Sequence, residues 1–406
     1  MGGIRDNSRA ALADGGLQKA LTTLKGGFRV KRATARETMP EFDRLRDEAA
    51  ALKDHVLAHL DLYLAEFETN VTAAGGTVHW AATPEEAREA VLGICREHGA
   101  KTVTKGKSMV AEEIHLNDHL EAAGLEPVET DLGEYIIQLR REPPSHIIAP
   151  ASHLGKEQVA DAFRASHTDL DPDRPLETPR QLLDEARKRL RRRYAEADVG
   201  ITGANFLIAG TGSTAVVTNE GNGDLTQGLA PVHVVVTSIE KVVPTLEDAA
   251  LLMRLLPRSA TGQDATTYVT CSTGPARAED ADGPRAFHVV LVDNGRSKML
   301  AEGFREMLRC IKCAACINHC PVYGAVGGHA YGSVYPGPMG SVFSPALFGL
   351  PAHADLPKAS SLCGRCEAVC PVRIPIPRML RQWRERAYAE KVTPRGQRLA
   401  LRLWRW

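Results

Sequence analysis

Hydrophobic and polar positions alternate with a period that changes along the chain, and those changes divide it. Residues 1–70 carry helical spacing. From Met39 onward, apolar residues recur at Leu45, Ala49, Leu52, Val56, Leu60 and Leu64, the step of one helix face. This stripe predicts a helical N-terminal arm packed on something larger, in this chain or in a partner. Near Thr77 the period shortens, and Thr77-Val-His-Trp-Ala81 predicts a strand. Thr83-Pro84-Glu-Glu86 then starts a helix that runs to about His98, with a hydroxyl cap, proline at the first helical position and a glutamate reaching back. Lys101-Thr-Val-Thr104, Pro127-Val-Glu129, Tyr135-Ile-Ile-Gln-Leu139 and His146-Ile-Ile-Ala149 predict further short strands, with helices near 155–167 and 178–196. Alternation at this pitch predicts an α/β sheet with helices on both faces.

From Val199 to Asp293 strands dominate. Ala204–Ala209, Ala215–Thr218, Val232–Val236, Thr267–Thr270 and His288–Val292 are short apolar runs suited to strands buried on both sides, and one helix from about Thr245 to Leu256 interrupts them. The polar, Gly/Pro-ended stretch 276–285 predicts a surface loop. A helix near 298–309 leads to a cysteine run. Residues 324–359 are rich in Gly, Pro and Ser with little periodicity, which predicts a long connection. After Pro377 the pattern is again helical, and basic, and closes on Leu403-Trp-Arg-Trp406, whose two tryptophans suggest a missing partner surface or extension. The predicted divisions are a helical arm at 1–70, an α/β domain at 71–297, a small α-helical domain at 298–380 and a basic helical tail at 381–406.

The chemistry concentrates in two cysteine runs, Cys310-Ile-Lys-Cys313-Ala-Ala-Cys316-Ile-Asn-His-Cys320-Pro321 and Cys363-Gly-Arg-Cys366-Glu-Ala-Val-Cys370-Pro371. The first has the bacterial ferredoxin spacing, in which three thiolates grip one iron–sulfur cluster and the fourth crosses to a neighbouring one. Zinc is the alternative, but zinc sites usually bring together separated pairs of ligands. Aligning the runs on their prolines assigns Cys310, Cys313, Cys316 and Cys370 to a first cluster, a [4Fe-4S] centre. Cys320, Cys363 and Cys366 fall to a second, with Ser360 where a fourth cysteine would stand. That second centre is then [3Fe-4S], or [4Fe-4S] with its fourth corner held by Ser360, His319, His329, water or a partner's cysteine.

Of the 9 cysteines, only Cys95 and Cys271 lie outside these runs, and both read as small core residues. Thiols committed to clusters require a reducing compartment, so a cytoplasmic protein is expected. The rest of the composition is ordinary for a soluble chain, with 43% hydrophobic and 25% charged residues. With 50 basic and 50 acidic residues the formal net charge is zero, so no global field favours nucleic acid. No apolar stretch is long enough for a membrane span, and no export signal stands at the N-terminus.

Two glycine-containing turns offer anion-friendly backbone. Ala209-Gly-Thr-Gly-Ser-Thr-Ala215 sits between predicted strands, and Thr218-Asn-Glu-Gly-Asn-Gly-Asp224 follows the second. Gly210, Gly212, Ser213 and Asn219 are candidate ligand contacts; the plainer reading is a pair of tight turns. Lys105-Gly-Lys-Ser108 ends another strand, where ligands bind in open α/β sheets, so Lys105 and Lys107 can supply charge to a phosphate or carboxylate, or can simply be solvated. No nucleotide fingerprint is present: the glycine turn lacks a third glycine and precedes a strand. The basic run Arg187–Arg193 reads as the solvated face of a helix.

Taken together, Lys105-Gly-Lys-Ser-Met-Val-Ala-Glu-Glu-Ile114, Asn205–Ser213, Thr218-Asn-Glu-Gly-Asn222, His288–Arg296 and the two cysteine runs resemble the lactate-utilisation iron–sulfur protein B family. The resemblance covers most of residues 70–380. It implies a lactate-utilisation α/β domain of the sugar-isomerase/CoA-transferase-like class, followed by a small α-helical dicluster ferredoxin-type domain. It also implies two companion subunits, a cysteine-rich heterodisulfide-reductase-like protein and a second lactate-utilisation-domain protein. The three together would oxidise L-lactate to pyruvate without NAD, any membrane association being made through the partners. Family members generally continue some tens of residues further, so a truncated C-terminal segment is expected. Relatives with the CoA-transferase-like fold use a glutamate nucleophile, which by analogy of fold points to Glu220. Two functions follow: an electron-transfer subunit, or a stand-alone CoA-transferase/isomerase-like enzyme whose cluster module is structural.

Overall fold

The computed structural model describes residues 3–403, the side chain of Arg402 excepted; the closing Trp404 and Trp406 lie outside the described residues. Among the described residues ten strands form, in chain order: β1 Thr77–Ala81, β2 Thr102–Lys105, β3 Glu126–Glu129, β4 Val199–Thr202, β5 Phe206–Ile208, β6 Ser213–Thr218, β7 Val232–Ser238, β8 Val242–Val243, β9 Tyr268–Ser272 and β10 Ala286–Val292. Six make a sheet in the order β1-β10-β7-β4-β2-β3, every pairing parallel. The other four make a smaller sheet, β8-β5-β6-β9.

The apolar runs of β7 and β10 are continuous because both faces of the sheet are covered. They pair from Ala286↔Val232 to Val292↔Ser238. Val234, Val236, Val290 and Val292 pack with Ala87, Val91 and Cys95 of the helix Pro84–Glu97. Val235, Val289 and Leu291, pointing the other way, meet Leu60, Leu64, Phe67 and Val71 of the helix Leu60–Ala73. The second half of the N-terminal arm is thus one layer of the α/β sandwich. Its first half belongs to the cysteine module: Leu21, Phe42, Leu45 and Ala49 share one core with Cys313, Cys316, Met379 and Trp383.

Three stretches depart from the sequence expectations. Tyr135–Leu139 is not a strand but part of the helix Leu132–Arg140, started by Asp131, whose carboxylate accepts from the Glu134 N–H at 3.1 Å. Gln138 on that helix bonds to Pro127 O and to the Glu129 N–H at the free edge of β3. His146–Ala149 is a bent loop, because the buried His146 ring accepts from the Ile148 and Ala149 N–H groups and leaves no strand partner. Within 324–359 lies the helix Gly337–Leu347, buried on almost every side, so the polar stripe that marks a surface helix is missing. Cys271, read as a core residue, is exposed on β9, whereas Cys95 is buried.

Candidate iron–sulfur site

Each cysteine run folds as a tight loop leading into a short helix. In the first, Lys312 and Ala314 adopt left-handed backbone (φ 58° and 61°) just before the helix Ala315–His319. In the second, Leu362 and Gly364 do the same (φ 55° and 77°) before the helix Arg365–Ala368. Left-handed residues set among right-handed ones turn successive N–H groups to one side, the geometry that receives an anion. Main-chain N–H groups point at sulfur, among them Lys312 at Cys310 Sγ (3.4 Å), Tyr323 at Cys320 Sγ (3.5 Å) and Ile374 at Cys370 Sγ (3.4 Å). Pro321 occupies the first position of the helix Pro321–Val326, with Cys320 as its cap.

The seven thiols fall into two sets. Cys310, Cys313, Cys316 and Cys370 line one small cavity walled by Ile147, Met307, Ile311, Met339, Ile374 and Ile376. Burial, and then repulsion within the set, raise the thiols of Cys313 and Cys316, and Cys370 is pushed up to about 11. Cys366 is pushed up to about 12 by burial and then by Cys320 and Cys363. Cys363 stands exposed, and hydrogen bonds from the Arg365 N–H and the Ser361 hydroxyl hold it below the ordinary thiol value. Among the described residues no three His, Cys, Asp or Glu side chains converge as they would round a single ion; a cube of four irons holds its sulfur ligands further apart than one metal ion does. Buried thiols, inward N–H donors and an apolar wall suit such a cube: bound thiolates need those donors, and the wall keeps water away.

At the fourth corner of the second set, Ser360 is partly buried and accepts from the Leu362 N–H at 3.1 Å, and it is Ser361 that bonds Cys363. His329 bonds Pro143 O at 2.8 Å and lies edge-on to His153. His319 turns Nδ1 to Ala315 O; burial, then its basic neighbours Arg32, Arg29 and Arg365, bring it down to about 4. Sequence reasoning missed Tyr331, whose buried hydroxyl has no hydrogen-bond partner and lies close enough to Cys320 to favour its thiolate. It also missed Arg32 and Arg46, buried arginines of the arm. Arg32 donates to Val369 O, and Arg46 to the carbonyls of Ala368 and Cys370. A basic residue on an otherwise apolar helix face was the available signal.

The α/β candidates do not form one site. Lys105 is buried at the end of β2 in ion pairs with Glu129 (2.7 Å) and Glu112 (3.0 Å), so its charge is already matched. Lys107 lies near Glu134 and Glu220, whose charged forms it favours. Glu220 is on an exposed turn, its carboxyl raised by desolvation and by Asp131. Asn219, also exposed, bonds the Thr267 N–H and Gln263. Gly210, Gly212 and Ser213 are elsewhere, against the helix Leu60–Ala73: Gly210 N–H bonds Pro244 O, Ser213 bonds Thr273, and a Cβ on Gly212 would lie 2.5 Å from the Asn70 carbonyl carbon. The close approach those glycines allow is to the protein's own backbone. A separate cleft of about 1960 Å³ is lined by Glu112, Glu129 and Glu134 and by none of the cysteines.

A buried ion network, also missed, joins the sheet to the cysteine module. Arg296, just after β10, is fully buried with both terminal nitrogens on Glu113 (2.8 and 2.7 Å) and its Nε 2.8 Å from Glu240. Tyr335, from the stretch between the cysteine runs, donates to the same Glu113 at 2.6 Å.

The LUD domain family matches residues 64–292, and the 4Fe-4S dicluster domain family matches residues 306–374. Lactate utilization protein B of Shouchella clausii is 45% identical, over 96% of this chain and 82% of its own length. The protein of that name from Bacillus subtilis is 45% identical, over 95% and 80%. The chain belongs to the lactate utilization protein B family. It joins a LUD domain to a 4Fe-4S dicluster domain. A DUF162 family protein from Deinococcus radiodurans of known structure is 14% identical, covering 57% of this chain and 98% of its own, at a TM-score of 0.30.

Proposed function

We propose that this protein is the iron–sulfur electron-transfer subunit of a complex that oxidises L-lactate to pyruvate. The observation that carries the reading is the division of seven cysteines into two adjacent sets, with Cys370 of the second run lining the cavity of the first. Membership in the lactate utilization protein B family supports lactate as the substrate class. Cys310, Cys313, Cys316 and Cys370 hold a [4Fe-4S] cluster; Cys320, Cys363 and Cys366 hold the second, either [3Fe-4S] or [4Fe-4S] with a fourth ligand other than cysteine. Such clusters, when bound, accept and pass on single electrons. The protein positions the thiolates, donates N–H groups to their sulfurs and shields the first set with isoleucine and methionine. Cys363, exposed, marks the side open to a redox partner. Oxidising lactate releases two electrons and two protons, so an acceptor outside this chain is required. The companions in the proposed complex are a cysteine-rich heterodisulfide-reductase-like protein and a second LUD-domain protein. The proposed location is the cytoplasm, with membrane contact only through partners; among the described residues no helix is long and apolar enough to cross a membrane.

The test is anaerobic purification followed by iron and sulfide counting and EPR. Two clusters correspond to about seven or eight irons per chain and reducible signals. Zinc in place of iron, or no reducible centre, overturns the reading. Lactate oxidation by the co-expressed companions, with and without this subunit, tests its place in the complex.

A further inference from the structure

The buried charges between the sheet and the first cysteine loop do not balance. Two carboxylates, Glu113 and Glu240, face four basic groups: Arg296, Lys53, Lys241 and Lys312. Arg296 bridges the two carboxylates. Lys53 and Lys241 each donate to a main-chain carbonyl, those of Glu240 and Ala204. Lys312 Nζ is buried without a hydrogen-bond partner, 3.6 Å from the centre of the Phe343 ring and 4.6 Å from that of Tyr335. Two aromatic faces return less than the desolvation of an ammonium costs, so a nearby negative charge is owed. Glu240 supplies part of it; burial works against its ionisation, yet Arg296 and then Lys312 and Lys241 hold it down at about 2. On its other side Lys312 adjoins the first cysteine set, its own N–H donating to Cys310 Sγ.

We propose that Lys312 is the internal counter-charge of the cluster held by Cys310, Cys313, Cys316 and Cys370, and that it raises the reduction potential of that cluster. This rests on the iron–sulfur reading of those four residues. Four thiolates round an iron–sulfur cube leave a net negative charge, and reduction by one electron deepens it. A fixed cation in a dry interior, beyond the reach of salt, therefore favours the reduced form. Glu240 opposes the effect, and the Tyr335 and Phe343 rings hold the ammonium of Lys312 in place. The second set, with Cys363 exposed, is screened by water, so the two centres have unequal potentials. Lys312 is a positioning and tuning residue; it is not a ligand.

The experiment is a dithionite titration of the anaerobically purified full chain in the presence of mediators, followed by EPR, on wild type, Lys312→Met, Lys312→Gln, Lys312→Arg and Glu240→Gln. A unit charge on the order of 10 Å away, at an effective dielectric of about 20, changes an equilibrium roughly tenfold. Lys312→Met is expected to lower the ratio of reduced to oxidised first cluster about tenfold at fixed potential, a downward shift of about 59 mV for one electron. Lys312→Arg should stay near wild type, Glu240→Gln should shift upward, and the second centre should not move. An unmoved potential in Lys312→Met with iron and sulfide intact overturns the proposal and leaves Lys312 as the counter-ion of Glu240. If Lys312→Met loses its cluster, Lys312→Gln decides: a downward shift relative to Lys312→Arg supports the proposal and none overturns it. A wild-type chain without a reducible cluster overturns the iron–sulfur reading itself, and so is told apart from failure of this inference.

Discussion

Arg46 Nε donates to the carbonyl oxygen of Cys370 at 2.9 Å, a contact between the N-terminal arm and the cysteine that joins the two runs. The arginine is 4% exposed, and its NH2 donates to Ala368 O at 2.8 Å. The arm therefore braces the second cysteine loop from outside, across more than three hundred residues of sequence.

Truncating that brace leaves two carbonyls without their charged donor. Arg46→Ala should cost about 3 kcal/mol and hasten cluster loss. Urea unfolding and the rate of bleaching under a chelator measure the two effects. A variant as stable as wild type would mean that the loop holds itself.

The shared role of Cys370 predicts unequal cysteine variants. Cys370→Ser should remove the first cluster and take roughly half the iron, with disturbance of the second run as well. Cys363→Ser, at the exposed edge, should leave the first cluster intact. Iron and sulfide per chain, with EPR of each variant, check this pattern; equal losses would argue against two separate sets.

Glu134 predicts a pH dependence. It is 2% exposed, one carboxylate oxygen has no hydrogen-bond partner, and burial followed by Glu112 and Glu129 raises it well above the ordinary carboxylate value, against the pull of Lys107. A folded-state value above the unfolded one means that the stabilising contribution is complete below about 4.5 and is lost as pH rises through the folded value. Between pH 5 and pH 9 stability should fall by at most about 1.4 kcal/mol per pH unit for this group, until the folded value is passed. Glu134→Gln should flatten that slope and be the more stable protein at pH 9. Urea midpoints at both pH values give the answer, and parallel slopes would refute it.

Gly212 tests the structural role of the glycine turn. Its φ is +65°, and an added Cβ would lie 2.4 Å from Val71 N. Gly212→Ala should destabilise by about 2 kcal/mol or more while iron per folded chain stays constant. Thermal unfolding with iron analysis separates the two quantities.

Breaking the buried network should be costly as well. Glu113→Ala leaves the two terminal nitrogens of the fully buried Arg296 without their carboxylate, with Glu240 facing only Nε, and should cost about 3–5 kcal/mol. Glu113→Ala combined with Arg296→Met should recover part of it. The double-mutant cycle by urea unfolding measures the coupling, and additivity would contradict the observed bidentate contact.

Local chemistry was legible in the sequence. Cysteine spacing pointed to clusters because a thiolate loop gripping a cube is a contact between near neighbours, and Thr83-Pro84 showed its helix start because capping is settled within four residues. The continuous apolar runs of β7 and β10 showed a doubly covered sheet. Tertiary structure decided the rest. Tyr135–Leu139 became helix because the Asp131 cap and the open edge of β3 outweighed β-branched composition. The helix Gly337–Leu347 escaped notice because a helix buried all round has no polar stripe. Lys105 looked like a free cation until the fold set Glu129 beside it, and nothing in the cysteine run showed that Tyr335 and Phe343 would close over Lys312. Charge pairing and burial depend on which distant side chains meet, and no periodicity within a window of sequence carries that information.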